Sequence, residues 1–321
     1  METLALDVPS PEPGQVLVRT VRSLISAGTE LTLLHASATG ERWGDLTHYP
    51  KLAGYSNVGR VEAVGEGVDP GWIGRTVHNH GGHQRFALSP EDRVAALPEG
   101  VSPEEAVFAT LGKVAMNGLR RAAVTWGETV GVVGLGVLGQ LVCRLCLRIG
   151  VRRIYAFEVT PARMARLPPS QRLIGFPGDL RDREVRRRFR DRHGASGVDV
   201  MIEATGEPTV LAAAPRLVRR QGRFLLLSSP RGPSHFDFHD LCNRPSLTIL
   251  GAHGFSHPAE GSLDDRWTSR RHGELFLEML AQGELTTREL ITHRLRAADA
   301  ACGYRGLSDD PAGTLGVVLQ W

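Results

Sequence analysis

The residues with the clearest chemistry are Gly134-Leu135-Gly136-Val137-Leu138-Gly139, which follow the apolar run 129–133 (TVGVV) and open a second apolar stretch. A glycine turn between a buried strand and a helix is suited to holding a pyrophosphate. Gly134 permits the tight turn, Gly136 lets the backbone approach the phosphates, and Gly139 lets the helix pack closely on the sheet. The N–H groups at the helix start, around Val137 and Leu138, face the phosphates, and the helix dipole favours their charge. Glu158 ends the next strand-like run, 153–158 (RIYAFE). A carboxylate there accepts hydrogen bonds from both hydroxyls of an adenosine ribose and repels a 2′-phosphate, which favours NAD(H) and leaves NADP(H) possible. Arg163 could touch the ribose or adenine, could reach a 2′-phosphate, or could be a plain surface arginine. Glu203, Thr205 and Gly206, Ser228 and Ser229, and Gly251 and His253 end or follow three further apolar runs. Ligands of open α/β sheets sit outside the carboxyl ends of the strands, so these residues are expected cofactor neighbours.

A second group is His78, His80 and His83, written H-N-H-G-G-H. Imidazoles titrate near neutrality, so His80 or His83 could relay a proton or contact a polar substrate, as opposed to being solvated loop histidines. A metal site needs convergent geometry and a further ligand, neither evident around a Gly-Gly turn. Of the 38 basic residues, two are lysines, Lys51 and Lys113. Lysine can titrate in a pocket where arginine cannot, which makes both positions worth locating. The four cysteines make no framework. Cys143 and Cys146 share one face of an apolar run and Cys242 and Cys302 are isolated, which reads as a reduced, cytoplasmic chain.

The elements that must position these residues are legible in outline. Residues 14–26, 58–64 and 85–88 alternate like strands and are separated by Gly- and Pro-rich turns, implying a small antiparallel barrel or sandwich in roughly the first hundred residues. Ser102-Pro103-Glu104-Glu105 is a helix start, and that helix is expected to end near Gly112, with another over 113–123. From 129 onward, strands at 129–133, 153–158, 198–204, 223–228 and 247–252 alternate with helical or polar stretches, the pattern of a doubly wound parallel sheet. A helix over 269–283 and a strand over 313–320 close the chain. The basic run 181–193 carries interleaved acids and reads as a solvated helix face, against the alternative of phosphate or RNA binding.

Composition excludes several classes. With 321 residues, two domains are expected. A net charge of +3 argues against a dedicated nucleic-acid binder. No run of about 18 apolar residues occurs, so no membrane partner is expected. The opening METLALDVPSPEPGQ has neither a basic start nor a long apolar core and does not read as a secretory signal.

Taken together, the glycine motif, Ile25-Ser26-Ala27-Gly28-Thr29-Glu30, and the stretch from Tyr49-Pro50-Lys51-Leu52-Ala53-Gly54-Tyr55-Ser56-Asn57-Val58-Gly59-Arg60-Val61 to Gly65 resemble the medium-chain dehydrogenase/reductase superfamily along nearly the whole chain. The resemblance implies an α/β protein. A Rossmann doubly wound parallel sheet, 119–253, binds NAD and is inserted into a GroES-like β-barrel catalytic domain, 1–118 plus 254–321. Zinc-dependent members place a cysteine at Ala27, histidine and glutamate at Tyr55 and Ser56, and a third ligand near Thr110. None of these ligands is present, and neither is a structural four-cysteine lobe, so neither zinc is expected. The words S-A-G-T-E and G-Y-S-N-V-G-R-V look most like the zinc-free branch, which includes bacteriochlorophyllide hydroxyethyl dehydrogenases and dehydrogenases of sugar, cyclitol and natural-product pathways.

Hydride transfer without zinc needs side-chain donors. The resemblance gives Thr29 the hydroxyl that bonds the substrate oxygen and starts the proton relay. Tyr55 replaces a metal-binding histidine, so its phenol points into the cleft as a donor or packs as an ordinary aromatic. Lys113, expected at the start of the helix that borders the nicotinamide, could bond a substrate oxygen or depress the pKa of Tyr55, or lie exposed. The expected activity is NAD(H)-dependent interconversion of a small-molecule polar secondary alcohol and its ketone. An NADPH-dependent enoyl or quinone reductase and a non-catalytic nucleotide- or RNA-binding protein are the alternatives. The outer strand 247–252 implies a homodimer.

Overall fold

A computed structural model describes residues 2–36, 49–194, 196–254, 256–258 and 260–321. Described residues within 2–34, 49–113 and 257–321 form one compact unit, and those within 35–36 and 114–256 form another.

The first unit is built on a mostly antiparallel sheet. Its strands are β1 (Gln15–Ile25), β2 (Asn57–Val64), β3 (Thr76–Asn79), β4 (Phe86–Pro90), β5 (Ala95–Ala96), β12 (Ile291–Arg296) and β13 (Gly316–Gln320). The order is β12-β13-β1-β2-β3-β5, with β4 also paired to β1. Alternation in β1 turns Val16 and Val18 inward against Val61, Val77 and Val94. A second core gathers Ile25, Val317 and Leu319 with Tyr304 and Leu307 of the helix Ala300–Asp309. Fully burying such side chains contributes about 1.5–3 kcal/mol each.

The second unit holds an all-parallel sheet of β6 (Thr129–Val133), β7 (Arg153–Glu158), β8 (Leu173–Pro177), β9 (Val198–Glu203), β10 (Val218–Leu226) and β11 (Thr248–Gly251). Its order, β8-β7-β6-β9-β10-β11, is that of a doubly wound dinucleotide-binding sheet. The strand at 247–252 lies at the sheet edge, as expected. One face is packed by Tyr155, Phe157, Phe176 and Phe189. The basic run forms the helix Arg183–His193, capped by Asp182. It buries Val185 and Phe189 and leaves its arginines outward, Arg187 pairing with Glu184 and Asp191. No helix among the described residues is long and apolar enough to cross a membrane.

Four strands escaped the sequence reading. β3 is short and polar, β5 is two residues long, β8 is a five-residue edge strand ending in proline, and β12 carries exposed histidine and arginine side by side. The helix boundary at Gly112 is corrected. Ser102 and Pro103 do start a helix, but it spans one turn, Pro103–Ala106, and the next runs unbroken over Ala109–Arg121. Gly112 lies inside it because a Cβ there would come within 2.3 Å of the Phe276 ring. The glycine serves close packing against the helix Ser269–Ala281, and Lys113 is an interior helical residue, not an initial one.

Candidate functional site

In the second unit, the turn after β6 places the glycine motif. Gly134 has φ +89°, a conformation that suits glycine, and its N–H donates to the Phe157 carbonyl at 2.9 Å. A Cβ at Gly139 would lie 1.9 Å from the Gly134 carbonyl oxygen, so helix and turn touch backbone to backbone. A Cβ at Gly136 would meet no protein atom within 4 Å. Gly136 caps the helix Val137–Ile149 without a side-chain hydrogen bond, and Val137 and Leu138 form its half-buried first turn. Bare backbone at an uncapped helix start, with open space before Gly136, fits a dinucleotide pyrophosphate.

Glu158 is buried, and its carboxylate bridges two backbone amides, Leu135 N at 2.7 Å and Thr160 N at 2.8 Å. Each oxygen keeps a further lone pair for a ribose hydroxyl. The following turn is pinned from the helix. Gln140 Nε2 donates to the Arg163 carbonyl at 2.7 Å, and buried Arg144 donates to Gln140 Oε1 at 2.8 Å and to the Arg166 carbonyl at 3.1 Å. Arg163 is thereby held half-buried next to the Glu158 turn.

Glu203, expected at this edge from the sequence, is the fully buried last residue of β9. Its carboxylate accepts from the Gly206 amide at 2.9 Å, from the amide and hydroxyl of Thr205 and from the Ser228 hydroxyl. Thr205, Gly206 and Ser228 thus gather around one acid at the carboxyl edge of the sheet, and Ser229 follows half-buried. Gly251 ends the edge strand, and its carbonyl accepts from Arg121 at 2.9 Å. His253 is exposed, its carbonyl accepting from the Ser256 hydroxyl at 2.7 Å.

In the first unit, Tyr55 lies in a small hydroxyl cluster. Its OH is hydrogen-bonded to Ser26 and donates to Thr29 Oγ1 at 3.3 Å. Burial raises the Tyr55 pKa; the Ser26 and Thr29 hydrogen bonds oppose this, and the Glu30 charge adds to it. Lys113 is not among the causes, so its expected role in depressing the Tyr55 pKa is corrected: the neighbouring charge is an acid. Glu30 itself is buried, accepting from the Ser26 amide at 2.7 Å, from Tyr304 and from His83 Nε2 at 3.1 Å, while His83 Nδ1 lies 2.9 Å from Ser23 Oγ.

Lys113 is the centre of a second cluster. It is 4% exposed, and Nζ lies 2.5 Å from Nε2 of His80. Burial, then the Arg93 charge, lowers its pKa to about 7. Burial, then the charges of Lys113, Arg93 and His257, hold His80 at about 3, so its neutral ring accepts from the lysine. His78, also held well below the usual histidine range by burial and then by Lys113 and His80, bonds Thr110 Oγ1 at 2.9 Å, as does Ser56 Oγ.

These donors do not suit zinc. Ala27 has no ligand atom, and the hydroxyls of Tyr55, Ser56 and Thr110 are all engaged in hydrogen bonds. His78, His80 and His83 serve three different partners, Thr110, Lys113 and the Ser23–Glu30 pair, and do not converge. Among the described residues no group of three or more His, Cys, Asp or Glu could hold a metal ion. Cys143 and Cys146 lie buried in the other unit, where burial pushes the Cys143 thiol up to about 12. Zinc takes thiolate, imidazole or carboxylate, and a basic amine beside the candidate position opposes a cation.

Residues 137–265 match the zinc-binding dehydrogenase family. L-threonine 3-dehydrogenase of Anaeromyxobacter dehalogenans is 24% identical over 98% of this chain and 94% of its own length. Among solved structures, galactitol-1-phosphate dehydrogenase of Escherichia coli superposes with a TM-score of 0.82 at 18% identity, covering 99% of this chain and 96% of its own. An Escherichia coli alcohol dehydrogenase complexed with NADH gives 0.80 at 19% identity, over 98% and 94%.

Proposed function

The chain belongs to the medium-chain dehydrogenase/reductase superfamily and is an oxidoreductase of its alcohol dehydrogenase type, and from that premise we propose a zinc-independent, NAD(H)-dependent enzyme that interconverts a polar secondary alcohol and its ketone. The observation that carries the proposal is Lys113: a buried lysine bonded to a neutral imidazole, titrating at about 7, beside the position where relatives of the zinc-dependent kind carry a metal ligand.

The residues around the glycine turn, with Glu158, would hold the dinucleotide, and a bound nicotinamide supplies the hydride chemistry. The chain's own side chains handle the proton. In oxidation the hydroxyl proton passes to the Lys113 amine as the carbon loses hydride; in reduction the ammonium returns it. His80 Nε2 fixes the direction of Nζ, and a base with a pKa near the working pH is the efficient choice for such a transfer. Thr29, backed by Tyr55 and Ser26, offers a further hydroxyl to the substrate oxygen. We assign 1–118 plus 254–321 to substrate and proton handling and 119–253 to NAD. The edge strand β11 is our proposed homodimer contact, since an open parallel edge pairs readily. A cytoplasmic location, with no membrane or nucleic-acid partner, completes the proposal.

Cofactor choice tests the nucleotide half. The native enzyme should use NADH about 10-fold or more better than NADPH in kcat/KM, and Glu158→Ala should weaken NADH use by about 10–100-fold, the worth of one or two hydrogen bonds to a charged group. A native preference for NADPH contradicts the assignment and favours a reductase of the enoyl or quinone type.

A further inference from the structure

Lys113 Nζ has one protein partner among the described residues, Nε2 of His80. An ammonium carries three donors, so two have no protein acceptor. A buried cation is ordinarily paired with an anion, because burial of an uncompensated charge costs several kcal/mol. No carboxylate of the described residues lies within 4.0 Å of Nζ. The groups that face it are neutral imidazoles and one guanidinium. β3 and the turn after it bring His78 and His80, whose rings are 5.8 Å apart. The turn Glu91–Arg93 brings Arg93, an exposed guanidinium without an ion pair among the described residues. The helix Ser269–Ala281 packs Gly273 on the lysine stem, a Cβ there falling 3.3 Å from Lys113 Cδ. The preceding His272 stands 5.1 Å, ring to ring, from His257.

We infer that the substrate itself brings the missing anion: an alcohol with a carboxylate or phosphate adjacent to its carbinol carbon, that group accepting from one open Lys113 N–H while the remaining position of Nζ serves the substrate oxygen, with Arg93 as the outer cation. This rests on Lys113 being the proton-handling residue proposed above. It narrows the substrate from polar alcohols in general to hydroxy acids and phosphorylated alcohols.

The test uses the full chain with inorganic phosphate as the probe, followed by paired substrates. Calorimetry should give one phosphate per chain, bound about 10-fold more weakly by Lys113→Met and measurably more weakly by Arg93→Met. For a hydroxy acid and its methyl ester, the kcat/KM ratio should favour the acid by about 10-fold or more, the worth of one charge-assisted hydrogen bond, and should fall toward one in Arg93→Met. Absence of phosphate binding, binding indifferent to both substitutions, or a ratio near one in the native enzyme overturns the inference. If neutral alcohols are then oxidised well, the dehydrogenase proposal stands without it; if no alcohol is oxidised with either nicotinamide, that proposal falls as well.

Discussion

Lys113→Met is expected to lower kcat by about 10²–10⁴-fold, the usual contribution of a positioned general acid or base, with NAD affinity unchanged. The variant removes a group that titrates at about 7 and leaves the glycine turn, in the other unit, intact. The pH profile gives the sign. Oxidation needs the free amine, so the native rate should rise with pH through about 7; reduction needs the ammonium and should fall over the same range. Both inflections should vanish in the variant. The substitution should move stability the opposite way to activity. A lysine whose pKa falls from 10.5 to about 7 on folding is neutral in the folded chain and protonated in the unfolded one between those values. Native stability therefore drops as pH falls through that window and stays at the lowered level below it. Methionine of similar length carries no such cost, so Lys113→Met should be more stable at pH 7, by about 1–4 kcal/mol. A variant with native kcat removes Lys113 from the mechanism, and one that melts well below native contradicts the cost assigned to burying the lysine.

Gly139→Val is expected to abolish cofactor binding, weakening NADH affinity by more than about 100-fold in a fluorescence titration and lowering the melting temperature. The atom that its Cβ would strike, the Gly134 carbonyl oxygen at 1.9 Å, is backbone, so no side chain can swing aside. The helix Val137–Ile149 would have to lift from β6, and the amides at its start would move with it. Gly136→Val separates folding from binding. Its Cβ meets nothing within 4 Å, so the melting temperature should hold near native while the added isopropyl group occupies the space that a pyrophosphate needs. Native NADH affinity in both variants would place the cofactor elsewhere.

How much of this was legible in the sequence follows from how far apart the interacting residues lie. The parallel sheet was readable because a strand buried on both faces is an uninterrupted apolar run, as in TVGVV, and because the glycine motif is local. The Lys113–His80 bond joins residues 33 apart and the Glu30–Tyr304 bond residues 274 apart, so neither leaves a spacing to read. Lysine scarcity singled out Lys113 but misplaced it at a helix start, because the reason for Gly112 is the ring of Phe276 in a remote helix. Three histidines in six residues suggested one site; β3 and the turn after it send them to three partners. The absence of zinc ligands was visible only once resemblance had indicated which positions to inspect, and the hydrogen bonds of Tyr55, Ser56 and Thr110 give that absence a physical form.

The central claim is that amine and hydroxyl groups replace zinc, and metal content set against turnover tests it most directly. Protein purified through a chelator should contain well under one zinc per chain and should oxidise its alcohol with NAD⁺ at an undiminished rate, without stimulation by added zinc. One tightly held zinc per chain, with activity lost on its removal and restored on its return, would contradict the claim and return the reaction to metal-assisted chemistry.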